Sequence, residues 1–150
     1  MNYICGMEQR ISDFINEHHV LTLAAAAGGD IWCASAFYVF DPDNTSFIIT
    51  SDENTRHMLL ALDGKQTGTV SGTIVLETET VGMIRGLQFK ARIKKAGTSL
   101  LDRARLLYLK RFPYAVLKGG DLWTLELSEL KFTDNRLGFG KKLTWKKTDF

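Results

Sequence analysis

The sequence predicts a mainly β domain, in which six or seven antiparallel strands close into a small barrel with three helices packed outside. Three observations predict it. The clearest regular run, residues 85–94, alternates Leu87, Phe89, Ala91 and Ile93 with Gln88, Lys90, Arg92 and Lys94, the period of a half-buried strand. Its companions are short runs joined by turns too brief for repeated parallel crossovers, which favours antiparallel pairing. Helical spacing is confined to three stretches. A chain of 150 residues, 45% hydrophobic and 24% charged, has ordinary globular composition and can bury a core as one domain without staples.

Taken in order, residues 7–18 place Met7, Ile11, Phe14 and Ile15 on one stripe of an amphipathic helix. His18 and His19 follow at its end, where an imidazole suits the C-terminal dipole. Adjacent positions point apart, which argues against a paired ligand role. Residues 20–27 read as a strand and Gly28-Gly29-Asp30 as a turn. Residues 31–40 form the next strand, apolar on both faces and so expected to be covered on both. Within it, Ala34-Ser35-Ala36 is a patch of small residues that lets a flat group approach the backbone. That group is an aromatic ring or, favoured on spacing alone, a neighbouring helix.

Asp41-Pro42-Asp43-Asn44 is a turn and residues 47–49 a short strand. Asn54 is the expected N-cap of a helix with Met58, Leu59 and Leu62 on one face, ended by Asp63-Gly64. Residues 66–71 and 73–78 are strand-like around Gly72, where a bulge or bend is expected. Gly97-Thr98 ends the alternating strand, and Ser99 to Asp102 fits a capping box. The helix it opens runs through Arg111, with Leu101, Ala104, Leu107 and Tyr108 inward and Arg103, Arg105 and Lys110 outward. Phe112-Pro113 stops it. Residues 121–132 are one long bent strand or a strand pair, Asp134-Asn135-Arg136 a turn, and residues 137–145 a closing strand.

The net charge of +2 is too small to argue for nucleic acid. Lys90, Arg92 and Lys94 on one strand face, and the lysine tail, lack the interleaved aromatics on which bases stack. Cys5 and Cys33 show no metal spacing, and His18, His19 and His57 are scattered, so no zinc site is expected. The two cysteines could form one disulfide, but nothing indicates an oxidising compartment. The chain shows no basic-then-apolar leader and no apolar run near the ~18 residues of a membrane span. A cytoplasmic protein away from membranes is the expectation.

Residues 47–62 carry the candidate chemistry. The strand ends in the hydroxyls of Thr50 and Ser51. Thr55, Arg56 and His57 then fall in a first helical turn, where backbone N–H groups lack partners and the dipole is positive. Hydroxyls, an arginine and free N–H groups at one spot are what a phosphate needs. The plainer alternative is a surface strand-to-helix turn.

Several runs resemble a known family: WCASAFYVFD (32–41), NTRH (54–57), IRGLQFKARI (84–93), RFP (111–113) and KFTDNRLGFGKKLTW (131–145). With the order of elements, they are similar to the FMN-binding split barrel of the pyridoxamine phosphate oxidase superfamily, and to its bacterial YhbP-type branch in particular. The resemblance implies a split β-barrel holding FMN in a groove at a homodimer interface. It implies that Thr50 and Ser51 lie near the phosphate and ribityl chain and that Thr55 and Arg56 are the phosphate-binding pair. His57 stands where the oxidases often carry lysine, so a largely neutral imidazole replaces a fixed charge. The backbone of Ala34, Ser35, Ala36 and Phe37 is implied to run beside the isoalloxazine ring. Gly86 and Gln88 lie on the strand where the oxidases place a glutamine near the flavin. No residues match the oxidases' substrate-phosphate site, so pyridoxamine phosphate oxidation is not implied.

The function so implied is an FMN-dependent oxidoreductase or flavin reductase with a nicotinamide donor, the cofactor supplying the chemistry and the protein positioning it. The alternatives are a non-catalytic flavin carrier or sensor, or a haem or deazaflavin binder using the same groove. Haem needs an axial ligand, and His18, His19 and His57 are the histidines on offer.

Overall fold

Alternation decides which face of each long strand turns inward. Leu21, Leu23 and Ala25, then Phe47 and Ile49, Val70 and Ile74, Leu87 through Ile93 at every second residue, and Trp123, Leu125 and Leu127 are all buried. They share one interior because of how the strands pair. The structure, a computed structural model, describes residues 3–4, 6–99, 101–117 and 120–148. Among them, in order, are β1 (Tyr3–Ile4), β2 (Met7–Glu8), α1 (Gln9–Glu17), β3 (Val20–Ala27), β4 (Asp30–Asp41), β5 (Ser46–Thr50), α2 (Arg56–Leu62), β6 (Thr67–Val75), β7 (Arg85–Lys95), α3 (Arg103–Arg111), β8 (Leu122–Asp134) and β9 (Lys142–Lys146).

The main sheet is antiparallel in the order β5-β4-β3-β6-β7-β8-β9, and β5 also pairs with β8. That ladder closes a barrel, while β9 extends the second half of β8. A bulge makes both possible. The β7–β8 register shifts between Lys90, opposite Glu129, and Ala91, opposite Leu127, which leaves Ser128 as the extra residue. Its hydroxyl donates to the Lys90 carbonyl at 3.2 Å. The bulge bends β8, so residues 122–126 meet β5 and residues 129–133 meet β9. This is the mainly β split barrel with three helices that the sequence predicts.

Helix α1 buries Ile11, Phe14 and Ile15, with the Phe14 ring 5.0 Å from that of Phe132. Tyr38 donates to the Ile15 carbonyl at 2.6 Å. Arg111, at the end of α3, donates to the carbonyls of His18 (2.6 Å) and Tyr38 (3.2 Å), tying α1, β4 and α3 together. Helix α3 lies on the outer face of β5, where Ala104 and Tyr108 meet Ile48 and Leu122.

Several expectations are corrected. Gly72 marks no bulge: β6 is one strand that pairs with β7 without a register shift there. A Cβ at Gly72 would stand 2.3 Å from the Phe89 ring and 2.2 Å from the Thr22 carbonyl oxygen, so close packing requires the glycine. The N-cap of α3 is Asp102, whose carboxylate accepts from the Ala104 N–H, rather than Ser99. Leu101 precedes the helix and is exposed, and Leu100 of the expected box lies outside the described residues. The closing strand spans only Lys142–Lys146, because a 3₁₀ turn (Asn135–Leu137) occupies the start of the expected run. Strand β4 is not covered on both faces: Ile31 and Phe37 are 67% and 53% exposed. Cys33, also on that face, is unpaired and exposed, while Cys5 lies outside the described residues.

Asp41 is buried in the β4–β5 turn, where it accepts from the Asp43 N–H, the Asn44 amide and both Nε and Nη2 of Arg103. Burial raises its pKa, but the hydrogen bonds from Arg103 and Asn44 outweigh burial and hold it below the usual carboxylate range. A carboxyl depressed in the folded state stabilises above its unfolded value of about 3.9 and loses that contribution as pH falls through its folded value. Thermal midpoints should therefore drop on acidification from pH 5 toward pH 2, and Asp41→Asn should flatten part of the drop. An unchanged acid profile in that variant would contradict this assignment.

Candidate functional site

The end of β5 and the start of α2 are joined by an Asp52-centred turn. Asp52 Oδ1 accepts from the Asn54 N–H at 2.8 Å, and its carbonyl accepts from the Thr55 hydroxyl at 2.9 Å. Thr55, not Asn54, is therefore the N-cap, and it makes no side-chain cap bond. The helix has 7 residues, with Met58 and Ala61 buried and Leu59 exposed. The expected face is thus rotated: Ala61 replaces Leu59 on it.

Ser51, Thr55 and His57 come together. His57 Nε2 lies 2.8 Å from Ser51 Oγ and 3.3 Å from Thr55 Oγ1. Burial pushes the His57 pKa below its ordinary value, so the imidazole is neutral at neutral pH. Ser51 is itself fixed: its carbonyl accepts from Trp123 Nε1 at 2.8 Å, and its N–H donates to the Asp121 carbonyl at 3.1 Å. Thr50 does not join this cluster. Successive strand residues point to opposite sides, and the Thr50 hydroxyl meets Tyr108 Oη on α3 at 3.3 Å.

Arg56 turns to the β3–β4 hairpin. Its Nε and Nη2 donate to Asp30 at 3.3 and 2.8 Å, and its Cζ lies 4.0 Å from the centre of the Trp32 ring. The sequence shows Asp30 as a turn residue and Trp32 as the start of the WCASAFYVFD run, and neither as a partner of Arg56. Their one signal for that is position, just after the glycine pair and before the small-residue patch. Trp32, Ala34 and Ala36 share one face of β4. Ala34 and Ala36 are half-buried, while Ser35 and Phe37 on the opposite face are exposed.

Gly86 and Gln88 are not brought to this cluster. Ser35, Thr22, Thr73 and Gln88 form one cross-strand row through β4, β3, β6 and β7. Gln88 is thus three strand spacings from Ser35, roughly 14 Å. It lies with Gly86, Val75, Ile84 and Thr133 on a separate cleft of about 450 Å³. The candidate residues are therefore dispersed on one chain: Ser51, Thr55 and His57 gather beside Arg56, Gly86 and Gln88 lie on the separate cleft, and Thr50 turns to α3. Among the described residues no three His, Cys, Asp or Glu side chains gather as a metal site, and no helix is long and apolar enough to cross a membrane.

No family model matches the chain. It is 40% identical over 139 residues to a UPF0306 protein of Yersinia pestis, an alignment covering 93% of this chain and 92% of that protein. Among solved structures, a haem-binding protein of Mycobacterium smegmatis superposes with a TM-score of 0.71 at 15% identity, over 93% of this chain and 58% of the other. An FAD-binding protein of Mesorhizobium loti superposes with a TM-score of 0.59 at 11% identity, over 82% and 91%. At such identities the likeness is one of fold, the split barrel.

Proposed function

The chain belongs to the UPF0306 family, and on that premise we propose that it is an FMN-binding protein of the pyridoxamine-phosphate-oxidase-like superfamily, in the YhbP-type branch, working as a homodimer. The observation that carries this reading is the division of the candidate residues. Arg56 with Ser51, Thr55 and His57 occupies one end of β4. Gly86 and Gln88 lie on a second cleft, and exposed Val20, Ile31, Phe37 and Val75 border the open sheet face. A second copy would cover that apolar face and bring the Gly86–Gln88 group of one chain to the Arg56 group of the other. The likeness to a haem-binding and an FAD-binding fold supports a flat aromatic ligand.

The residues fit such a ligand. The methyl side chains of Ala34 and Ala36 leave the β4 backbone approachable, and Trp32 on the same face adds aromatic surface. Ser51 and Thr55 offer hydroxyls, and Arg56 offers a guanidinium for a phosphate. When bound, a flavin supplies hydride and electron transfer. We assign the chain the tasks of holding it and shielding one face of it, and we place the protein in the cytoplasm. Oxidoreductase or flavin reductase activity with a nicotinamide donor is the catalytic form of this reading, and a non-catalytic carrier is the other.

One observation favours a second reading, haem. His19 is exposed and its ring stacks on Phe37, with centroids 6.1 Å apart and planes 13° apart. His18 Nδ1, by contrast, is spent on the Phe14 carbonyl at 2.9 Å, and His57 Nε2 on Ser51. A haem would take His19 on the opposite, Phe37 face of β4. A deazaflavin would use the same β4 patch as FMN.

The test is a titration followed by tryptophan quenching, since Trp32 borders the site. Saturable FMN binding in the micromolar range, about −8 kcal/mol, is expected. Arg56→Ala should weaken it by about 1.5–3 kcal/mol, the range of a charge-assisted hydrogen bond. FMN affinity unchanged in that variant would remove Arg56 from the site. Absent quenching together with a Soret band lost in His19→Ala would put haem first. Oxidation of NADH or NADPH by the FMN-loaded protein separates enzyme from carrier.

A further inference from the structure

Arg56 already meets an anion within its own chain. Asp30 begins β4 directly after the Gly28-Gly29 turn, whose positive φ values of 57° and 83° suit glycine. That turn aims the Asp30 carboxylate at Arg56, the first residue of α2. Both hydrogen bonds run from the Nε–Nη2 edge of the guanidinium, whose plane lies over Trp32. The two side chains are 50% and 47% exposed. A half-exposed ion pair is weak and exchangeable, but it cancels charge while it lasts.

The surroundings do not restore a positive field. Asp52 and Glu53 stand in the loop before α2. The lysine on this side, Lys95, is shared between Glu53 at 3.6 Å and Asp121 at 3.4 Å. His57 is neutral at neutral pH, and the hydrogen bond from Arg56 holds the Asp30 carboxyl below the usual range, so it stays ionised. A terminal phosphate entering here meets a guanidinium already occupied by a carboxylate.

Resting on the flavin reading above, we propose that Asp30 is a specificity-determining residue: it occupies Arg56 as an internal competitor for phosphate, so the site discriminates weakly between a flavin with a terminal phosphate and one without. Removing the carboxylate frees the guanidinium, still seated on Trp32, for the phosphate. Removing the guanidinium instead leaves Asp30 uncompensated beside the phosphate, so Arg56→Ala acts against FMN and not against riboflavin.

The experiment titrates FMN and riboflavin into the wild-type chain and the Asp30→Asn variant at low salt. A thermal melt confirms that both are folded. The expected result is about a tenfold gain in FMN affinity in Asp30→Asn with riboflavin affinity unchanged. Equal FMN-to-riboflavin ratios in the two proteins overturn the proposal. So does a loss of FMN affinity in the folded variant, which would make Asp30 a positioning residue for Arg56. A second readout does not depend on flavin. Inorganic phosphate is titrated against the Arg56 Nε–H resonance in both proteins, and about tenfold tighter phosphate binding is expected in Asp30→Asn. If neither flavin binds either protein but the phosphate difference appears, the flavin reading falls while Asp30 keeps its role. If the phosphate affinities are equal, the competitor role itself is refuted.

Discussion

Trp123→Ala is expected to lower folding stability by about 3–5 kcal/mol, the cost of emptying a large aromatic site in a packed interior. Trp123 is 2% exposed, lies on β8 where β5 closes the barrel, and pairs with Ile49 across that seam. Its indole N–H also donates to the Ser51 carbonyl at 2.8 Å. The substitution therefore removes packing from the closing ladder and a donor that fixes Ser51. Urea denaturation measures the first effect, and a loss under ~1 kcal/mol would show that the seam does not depend on this side chain. Trp123→Phe separates the two roles. It keeps most of the ring volume but leaves the Ser51 carbonyl without its donor, at a cost of about 1–3 kcal/mol. FMN affinity should fall in that variant, since Ser51 is then held only by its N–H bond to the Asp121 carbonyl.

Gly68→Ala should cost about 1–3 kcal/mol by overpacking and should weaken flavin binding as well. A Cβ at Gly68 would stand 1.7 Å from the Ala61 carbonyl oxygen and 2.8 Å from the carbonyl carbon. Those are backbone atoms of α2, which cannot rotate aside as a side chain would, so the helix must lift from β6. Because α2 begins with Arg56 and His57, its displacement disturbs the candidate site from its far end. Gly82→Ala is the control: a Cβ there meets nothing within 4 Å. The prediction is overturned if the two variants melt together and bind FMN alike.

Much of this was readable along the chain. The strand of residues 85–94 is unmistakable because burial at every second position is a local property of a half-buried strand. The α1 stripe of Ile11, Phe14 and Ile15 is readable for the matching reason at the helical period. The sequence misleads where local patterns are equivocal. Gly72 looked like a bulge because a glycine in a strand also marks a close approach, and only the Phe89 ring across the ladder tells the two apart. Ser99 to Asp102 fits a capping box by residue type, but it is the Asp102 carboxylate that reaches the Ala104 N–H and caps α3. Strand β4 reads as doubly covered from its two apolar faces, yet Ile31 stays largely exposed and Phe37 is only partly covered, by the rings of His19 and Phe112.

The candidate site divides along the same line. Its residue types and their order at the end of β5 are a matter of sequence, as are the split-barrel class and the family resemblance. What each side chain does with its charge is not. Arg56 finds Asp30 26 positions earlier, Arg103 finds Asp41 62 positions away, and Thr50 turns from its neighbour Ser51 to meet Tyr108 58 positions on. Periodicity reports burial because burial follows the geometry of one element. Ion pairs and shared hydroxyls depend on which elements become neighbours, and that is settled by the closing of β5 on β8 and the seating of α2 and α3 against the barrel. Only the tertiary structure could separate Gln88 from the Arg56 cluster by two intervening strands, and only it could show that the arginine expected to meet a phosphate already holds a carboxylate.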